Sequence, residues 1–295
     1  MFPEAFAYYS PHTLGEALDY LNEYGYDAKI LAGGQSLLPV MKLKLASPAV
    51  LIDVNSVAEL QGLVHTDQGL ELGALTRHAT MEFGVWPQHP LIAEAARQIA
   101  DPIVRNRGTV AGSLAHADPA ADWGAVLLAL NGQVAMQDKN RCREVPITEF
   151  FQDTFTTALE PNEVITRVKI PAPPKAAYLG GQYLKLERKV GDFAVVGVAV
   201  TAALDDTGRV LSAGIGLAAV GVTPLKARKA EEILLGSHLT SEQIREAAQA
   251  AADESSPFGD RRGSEEYKRA MIRVFVERGL RAIAEGGLNG VAHSA

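Results

Sequence analysis

The sequence predicts an α+β fold, and three observations carry that expectation. Near the start, short apolar strand segments at Ala28 to Ala32 and Ala49 to Val54 follow an amphipathic helix, the order of a small α/β unit. Pro171-Ala-Pro-Pro174 then reads as a stiff, extended break. Beyond it three strand candidates follow one another without an intervening helix and two helices close the chain, which suggests an antiparallel sheet with helices packed on it.

Each element has a local reason. Thr13 and Glu16 form a capping box, Leu14, Ala17, Leu18 and Leu21 give an apolar face, and Gly25 ends the first helix. The strand from Ala28 runs into Gly33-Gly34, and a helical turn is expected from Ser36, where Pro39 is tolerated in a first turn. The next strand ends at Asp53 and Asn55, closing a unit of about 55 residues, below the usual size of an independent domain. Gln61 to Thr76 reads as a strand pair around Asp67-Gln-Gly69. A helix is expected over Pro90 to Ala100, stopping at Asp101-Pro102. A small-residue loop after a strand follows at Arg105 to Ala115, then a helix that Asp122 caps, with Asn131-Gly132 at its end. Val164 to Ile170 alternates like a half-buried strand. After the break, strands over Gln182–Glu187, Ala194–Leu204 and Val210–Ala219 form a meander with a turn at Asp205-Asp-Thr-Gly208. Helices over Ser241 to Asp253, with a Thr240/Gln243 capping box, and Ser264 to Ala284 come last. The second is expected to present Tyr267, Met271, Val274 and Phe275 on one face, with a loose tail after Gly286.

Composition limits what the chain can do. At 295 residues, 47% apolar and 21% charged, it reads as globular. A net charge of −7 and a pI near 5.6 argue against nucleic acid. Arg261-Arg262, Lys268 and Arg269 are interleaved with Glu265 and Glu266, the pattern of a solvated helix surface. No stretch approaches the roughly 20 apolar residues of a membrane span, and the first residues lack the pattern of a signal peptide. Cys142 is the one cysteine, which excludes an internal disulfide and an all-cysteine metal or iron–sulfur site, and a reducing cytoplasm is the expected setting. The seven histidines have no metal-ligand spacing.

Two small-residue segments carry the chemistry, Leu31-Ala-Gly-Gly-Gln-Ser-Leu-Leu38 and Arg105-Asn-Arg-Gly-Thr-Val-Ala-Gly-Ser-Leu-Ala115. Such segments let backbone N–H groups approach an anion, and two of them suggest a clamp on something long and doubly charged, such as a dinucleotide pyrophosphate. Ser36, Thr109 and Ser113 add neutral hydroxyl donors. In His116-Ala-Asp-Pro-Ala-Ala-Asp122, Asp118 and Asp122 are either turn and cap residues or acceptors for cofactor hydroxyls. Lys185 shares a strand face with Tyr183 and Glu187. Spacing leaves open whether it is a surface lysine on an edge strand or a cation beside an electron-rich ring.

Taken together, Ala32-Gly-Gly-Gln-Ser36, Arg105 to Ser113 with Asp118-Pro-Ala-Ala-Asp122, and Lys185-Leu-Glu-Arg-Lys-Val-Gly-Asp-Phe193 resemble the FAD-binding medium subunits of molybdenum hydroxylases, the flavoproteins of the carbon monoxide dehydrogenase and xanthine dehydrogenase family. The resemblance covers nearly the whole chain. It implies a two-subdomain FAD-binding domain of the PCMH type, 1–57 and 58–175, followed by a C-terminal domain, 176–295, of antiparallel sheet and helices. By motif position Ala32, Gly33, Gly34, Gln35 and Ser36, with Thr109, Ala111, Gly112 and Ser113, would hold the pyrophosphate. Asp118 and Asp122 would lie near the cofactor hydroxyls and Lys185 near the isoalloxazine, which Tyr183 could also approach.

The resemblance further implies an oxidoreductase subunit that takes electrons from an iron–sulfur subunit, fed by a molybdopterin subunit, in a dimer of heterotrimers, and passes them to an external acceptor. Two departures matter. Gln35 stands in the neighbourhood where related flavoproteins carry a histidine that links FAD covalently, so non-covalent FAD is expected. Ala111 stands where relatives often have glycine, which strains the second segment if the position needs φ > 0. The alternatives are a stand-alone flavin oxidoreductase and a scaffold subunit with a decayed FAD site. A subunit interface would draw on the last helix or on Trp86, Phe150 and Phe151, for which core packing is the competing use.

Overall fold

A computed structural model of the chain describes residues 2–292. The chain begins with β1 (Ala7–Tyr9), α1 (Leu14–Tyr24), β2 (Ala28–Leu31), α2 (Leu37–Lys42) and β3 (Val50–Asp53). Its three strands are parallel, in the order β1-β3-β2. The predicted capping box opens α1, Thr13 and Glu16 each accepting from the other's backbone N–H, and Gly25 closes it at φ 51°. Leu31 pairs with Asp53, so Gly33 and Asn55 leave the carboxyl ends of neighbouring strands side by side. That edge is where open parallel sheets bind ligands.

Next come β4 (Leu63–Thr66), β5 (Gly69–Gly73), α3 (His78–Phe83), α4 (Leu91–Ala96), α5 (Pro102–Arg107), α6 (Val110–His116) and α7 (Asp122–Ala129). They are followed by β6 (Gln133–Gln137), β7 (Cys142–Pro146), α8 (Ile147–Phe150), the small hairpin β8 (Phe151–Asp153) and β9 (Thr156–Thr157), and β10 (Val164–Pro171). Five of these strands make an antiparallel sheet, β4-β5-β10-β6-β7. The helix expected over 90–100 is shorter, because α4 closes at Ala96 and Ala100 takes φ 48°. Asp101-Pro102 opens a new helix where a stop was expected. Asp101 caps α5 by accepting from Val104 N at 2.8 Å, and Pro102 sits at the first position, where its missing N–H costs nothing.

The rest is a meander, β11 (Tyr178–Leu186), β12 (Val196–Leu204), β13 (Val210–Ala218) and β14 (Leu225–Lys226), then α9 (Arg228–Leu234), α10 (Ser241–Glu254) and α11 (Glu265–Ala292). Both faces of this sheet are covered. Val196, Val198, Val200 and Ala202 join one core with α10 and α11, while Ala199 joins the other with α7. Close approach of α7 depends on glycine: a Cβ at Gly214 or Gly216 would fall 1.9 Å from the Ala129 or Ala125 carbonyl oxygen. All eight residues of α7 are buried, as a helix apolar on every side requires.

Two expectations for the last helix are corrected. Its fully buried stripe is Lys268, Ile272, Val276, Leu280 and Ile283, one position round from the face expected; Met271 and Phe275 of that face pack beside it, half-buried, and Tyr267 is exposed. Apolar residues at both 271–272 and 274–276 fit either stripe, and packing against α10 and β12 selects one. The helix also runs through Gly286, which lies against the Tyr178 hydroxyl, to Ala292, where a loose tail was expected. The last three residues of that tail lie outside the described residues. Trp86 and Phe150, 8% and 0% exposed, belong to the core, with Phe151 packed against it.

Candidate functional site

The two small-residue segments meet at the carboxyl edge of the parallel sheet. A Cβ at Gly33 would fall 2.5 Å from the Arg107 carbonyl oxygen and 2.7 Å from Gly108 Cα, so the two backbones touch there. Gly34, at φ 72°, turns the chain into α2. Ser36 precedes that helix with its hydroxyl uncommitted to a cap, and Gln35 folds back on the Gly33 carbonyl at 3.3 Å. Among the described residues, the N–H groups of Gly33, Gly34, Gln35 and Ser36 donate to no protein acceptor. Four consecutive free donors on a small-residue turn suit an anion, since backbone donors need partners.

The second segment is the corner between two short helices, not the loop after a strand that was expected. Gly108 ends α5, and Thr109 caps α6 with its Oγ1 accepting from Gly112 N at 3.0 Å. Ala111, Gly112 and Ser113 are therefore helical, and Ala111 carries no positive-φ strain. A single antiparallel bridge ties this corner to the chain before α3. Val110 N donates to Thr76 O and His78 N to Gly108 O, each at 3.0 Å.

Two side chains join the segments from behind. Arg77 donates through Nη1 to the Arg107 carbonyl and through Nη2 to Asn55 Oδ1 at 2.6 Å. Asn55 Nδ2 in turn donates to the Ala32 carbonyl at 2.9 Å. Sequence reading reaches Asn55 only as the polar end of a strand; its place at a parallel-strand terminus was the available signal. Arg77 has no local signal, because only folding brings residue 77 to residues 55 and 107.

A second cluster is buried between α7, α4 and β11. Asp122 is the first residue of α7 and not its cap, that position being Ala121. Its carboxylate accepts from the Tyr183 hydroxyl at 2.6 Å and from Lys185 Nζ at 3.2 Å. Lys185 also donates to the Gln98 carbonyl at 2.9 Å, and Glu187 lies 3.6 Å away. Although β11 is an edge strand, the Lys185 side chain is 1% exposed, so the surface-lysine reading fails. Gln98 covers the edge, its Nε2 donating to the Tyr183 carbonyl at 2.8 Å. Burial pushes the Asp122 carboxyl up, opposed by the Lys185 ammonium and the Tyr183 hydroxyl, and burial likewise drives the Tyr183 phenol well above its ordinary value.

Asp118 is a turn residue whose Oδ1 accepts from Ala120 N at 2.9 Å, and His116, its pKa lowered by burial, packs on Phe155. The structure thus gathers 32–36 and 109–113 into one corner and Asp122 with Lys185 into another. Along the chain, α6 leads from the Thr109 cap toward Asp122 and is about 10 Å long by helical rise. Among the described residues no three His, Cys, Asp or Glu side chains converge as a metal site, and no helix is long and apolar enough to cross a membrane.

Comparison with known proteins identifies the family. Residues 4–173 match the family described as the FAD binding domain in molybdopterin dehydrogenase, and residues 181–283 match the CO dehydrogenase flavoprotein C-terminal domain. The chain is similar to the carbon monoxide dehydrogenase medium chain of Hydrogenophaga pseudoflava, 40% identical over 96% of this chain and 98% of the relative. It is 39% identical to the 6-hydroxypseudooxynicotine dehydrogenase complex subunit alpha of Paenarthrobacter nicotinovorans, over 95% of each. A solved structure of the Hydrogenophaga pseudoflava carbon monoxide dehydrogenase superposes with a TM-score of 0.92 at 42% identity, covering 96% of this chain and 98% of that one.

Proposed function

The chain belongs to the family of FAD-binding subunits of molybdopterin dehydrogenases, and from that premise we propose that it is the electron-collecting flavoprotein of a multi-subunit oxidoreductase. The observation that carries the reading is the row of four undonated N–H groups at 33–36, set against the Arg107–Thr109 corner. A pyrophosphate there would accept from those donors and from the Ser36, Thr109 and Ser113 hydroxyls. Gly33 lets the two corners touch, because a Cβ there would stand 2.5 Å from the Arg107 oxygen, and Gly112 leaves room for the Thr109 hydroxyl.

Lys185 would present a fixed positive charge beside the electron-rich ring. Asp122 first holds that ammonium in place, and its remaining lone pairs would accept from a cofactor hydroxyl. When bound, the flavin supplies exchange of electrons between a one-electron partner and an external two-electron acceptor. This chain's residues bind, orient and shield it. Gln35 in the first segment supports non-covalent attachment. An iron–sulfur subunit and a molybdopterin subunit, in a dimer of heterotrimers in the cytoplasm, complete the proposed assembly. The helical backbone at Ala111 removes the sequence hint that favoured a decayed site.

The test is the visible absorption spectrum of the purified chain, followed by chromatography of what acid precipitation releases. About one FAD per chain, free after precipitation, is expected. A colourless protein that takes up no added FAD refutes the reading. Substrate turnover by the chain alone would instead establish a stand-alone oxidoreductase.

A further inference from the structure

We propose that Asn55 and Arg77 are positioning residues that fix the orientation and spacing of the two FAD-binding corners, through a side-chain relay from the Ala32 carbonyl to the Arg107 carbonyl. The proposal rests on the FAD reading above and extends it to two residues outside the binding segments.

The relay is continuous. Asn55 Nδ2 donates to Ala32 O at 2.9 Å, Asn55 Oδ1 accepts from Arg77 Nη2 at 2.6 Å, and Arg77 Nη1 donates to Arg107 O. Asp53 locks its first member, Oδ1 accepting from Asn55 N at 2.9 Å and from Nδ2 at 2.6 Å. Asp53 is itself held by the Tyr8 hydroxyl at 2.6 Å. Only one amide orientation satisfies these bonds, since Nδ2 faces two acceptors and Oδ1 faces a cation.

Peptide geometry gives the relay its purpose. The Ala32 carbonyl and the Gly33 N–H belong to one planar trans peptide and point in opposite directions. Holding the oxygen toward Asn55 therefore aims the first donor of the 33–36 row away from Asn55. A free carbonyl at the same place could turn toward a bound phosphate and repel it. At the other end, the Arg107 oxygen is the atom that occupies the space beside Gly33, 2.5 Å from where a Cβ would stand. Arg77 thus holds the contact surface of the two corners. A guanidinium suits this task because its fork reaches two acceptors at fixed separation, whereas an ammonium is a single point.

The experiment is an FAD titration of the full-length apoprotein, with thermal unfolding of the apo form, for the natural chain, Asn55→Ala, Arg77→Lys and the double variant. Each single variant is expected to weaken FAD binding about tenfold, the size of a lost charge-assisted hydrogen bond. The apo thermal midpoint should stay unchanged. The double variant should match the weaker single within about twofold, because residues in one relay are coupled. FAD affinity equal to that of the natural chain overturns the proposal. So do losses that multiply in the double variant, or an apo midpoint that falls in step with affinity, which would make the residues merely structural. Failure of the natural chain to bind FAD would instead overturn the cofactor reading beneath it.

Discussion

Replacing Gly33 with alanine adds one methyl group at the contact between the two binding corners. Its Cβ would stand 2.5 Å from the Arg107 oxygen, 2.7 Å from Gly108 Cα and 3.0 Å from the Arg107 carbon, where ordinary contact begins at 3.4 Å. All three atoms are backbone, so no rotamer change relieves the clash, and the corners must part by about 1 Å in a close-packed region. Gly33 has no positive φ, so alanine strains nothing in its own backbone and the substitution isolates the spacing. Overpacking of this kind costs about 1–3 kcal/mol. If the apoprotein relaxes by opening the corner, that cost appears as FAD affinity lowered roughly 5- to 150-fold; if it does not, the cost appears in the thermal midpoint. Titration of the apoprotein with FAD and thermal unfolding of the same sample read both. Gly112→Ala is the control, since its nearest atom is the Thr109 Oγ1 at 2.6 Å, on a side chain that can rotate at the cost of a cap, about 1 kcal/mol. Valine at either position is expected to abolish FAD retention with most of the fold intact. Natural affinity and natural thermal stability in Gly33→Ala would refute the two-corner clamp.

Two further outcomes follow from the buried groups. Lys185→Met should lower the potential of bound flavin in a redox titration and destabilise the chain by about 3–5 kcal/mol in urea, because Asp122 is left buried and unpaired. Adding Asp122→Asn should recover part of that stability, and an unchanged potential would place the pair away from the ring. His78 is held from the ordinary 6.5 to about 4, first by burial and then by the charges of Arg105 and Arg77, while Trp123 donates to its Nδ1 at 3.0 Å. A base with a depressed folded pKa binds fewer protons folded than unfolded, so its contribution is complete above 6.5 and is lost as pH falls toward 4. That contribution is about 3 kcal/mol. The urea midpoint should therefore fall more between about pH 7 and about pH 5 in the natural chain than in His78→Asn, and equal slopes would contradict the buried-histidine account.

The capping boxes at Thr13 and Thr240, the Asp67-Gln-Gly69 turn and the antiparallel meander were legible because each depends on residues near one another in sequence. The small-residue segments were legible for the same reason, as local compositions that admit close backbone approach. The second reads as a loop in the sequence and folds as a helix corner, since Gly108, Ala111 and Gly112 permit both alike. What surrounds each segment was fixed by the tertiary structure. Lys185 on an edge strand is buried because Gln98 and Asp122, distant in sequence, close over it. The stripe of α11 was chosen by its neighbours from two that the sequence allows equally. Asn55 and Arg77 join the site only when a parallel strand end and a helix entry come together. Local hydrogen-bonding and backbone preferences act within a few residues and are written in order along the chain. Burial, ion pairing and the spacing of two backbones depend on which distant residues meet, and only the packed fold decides that.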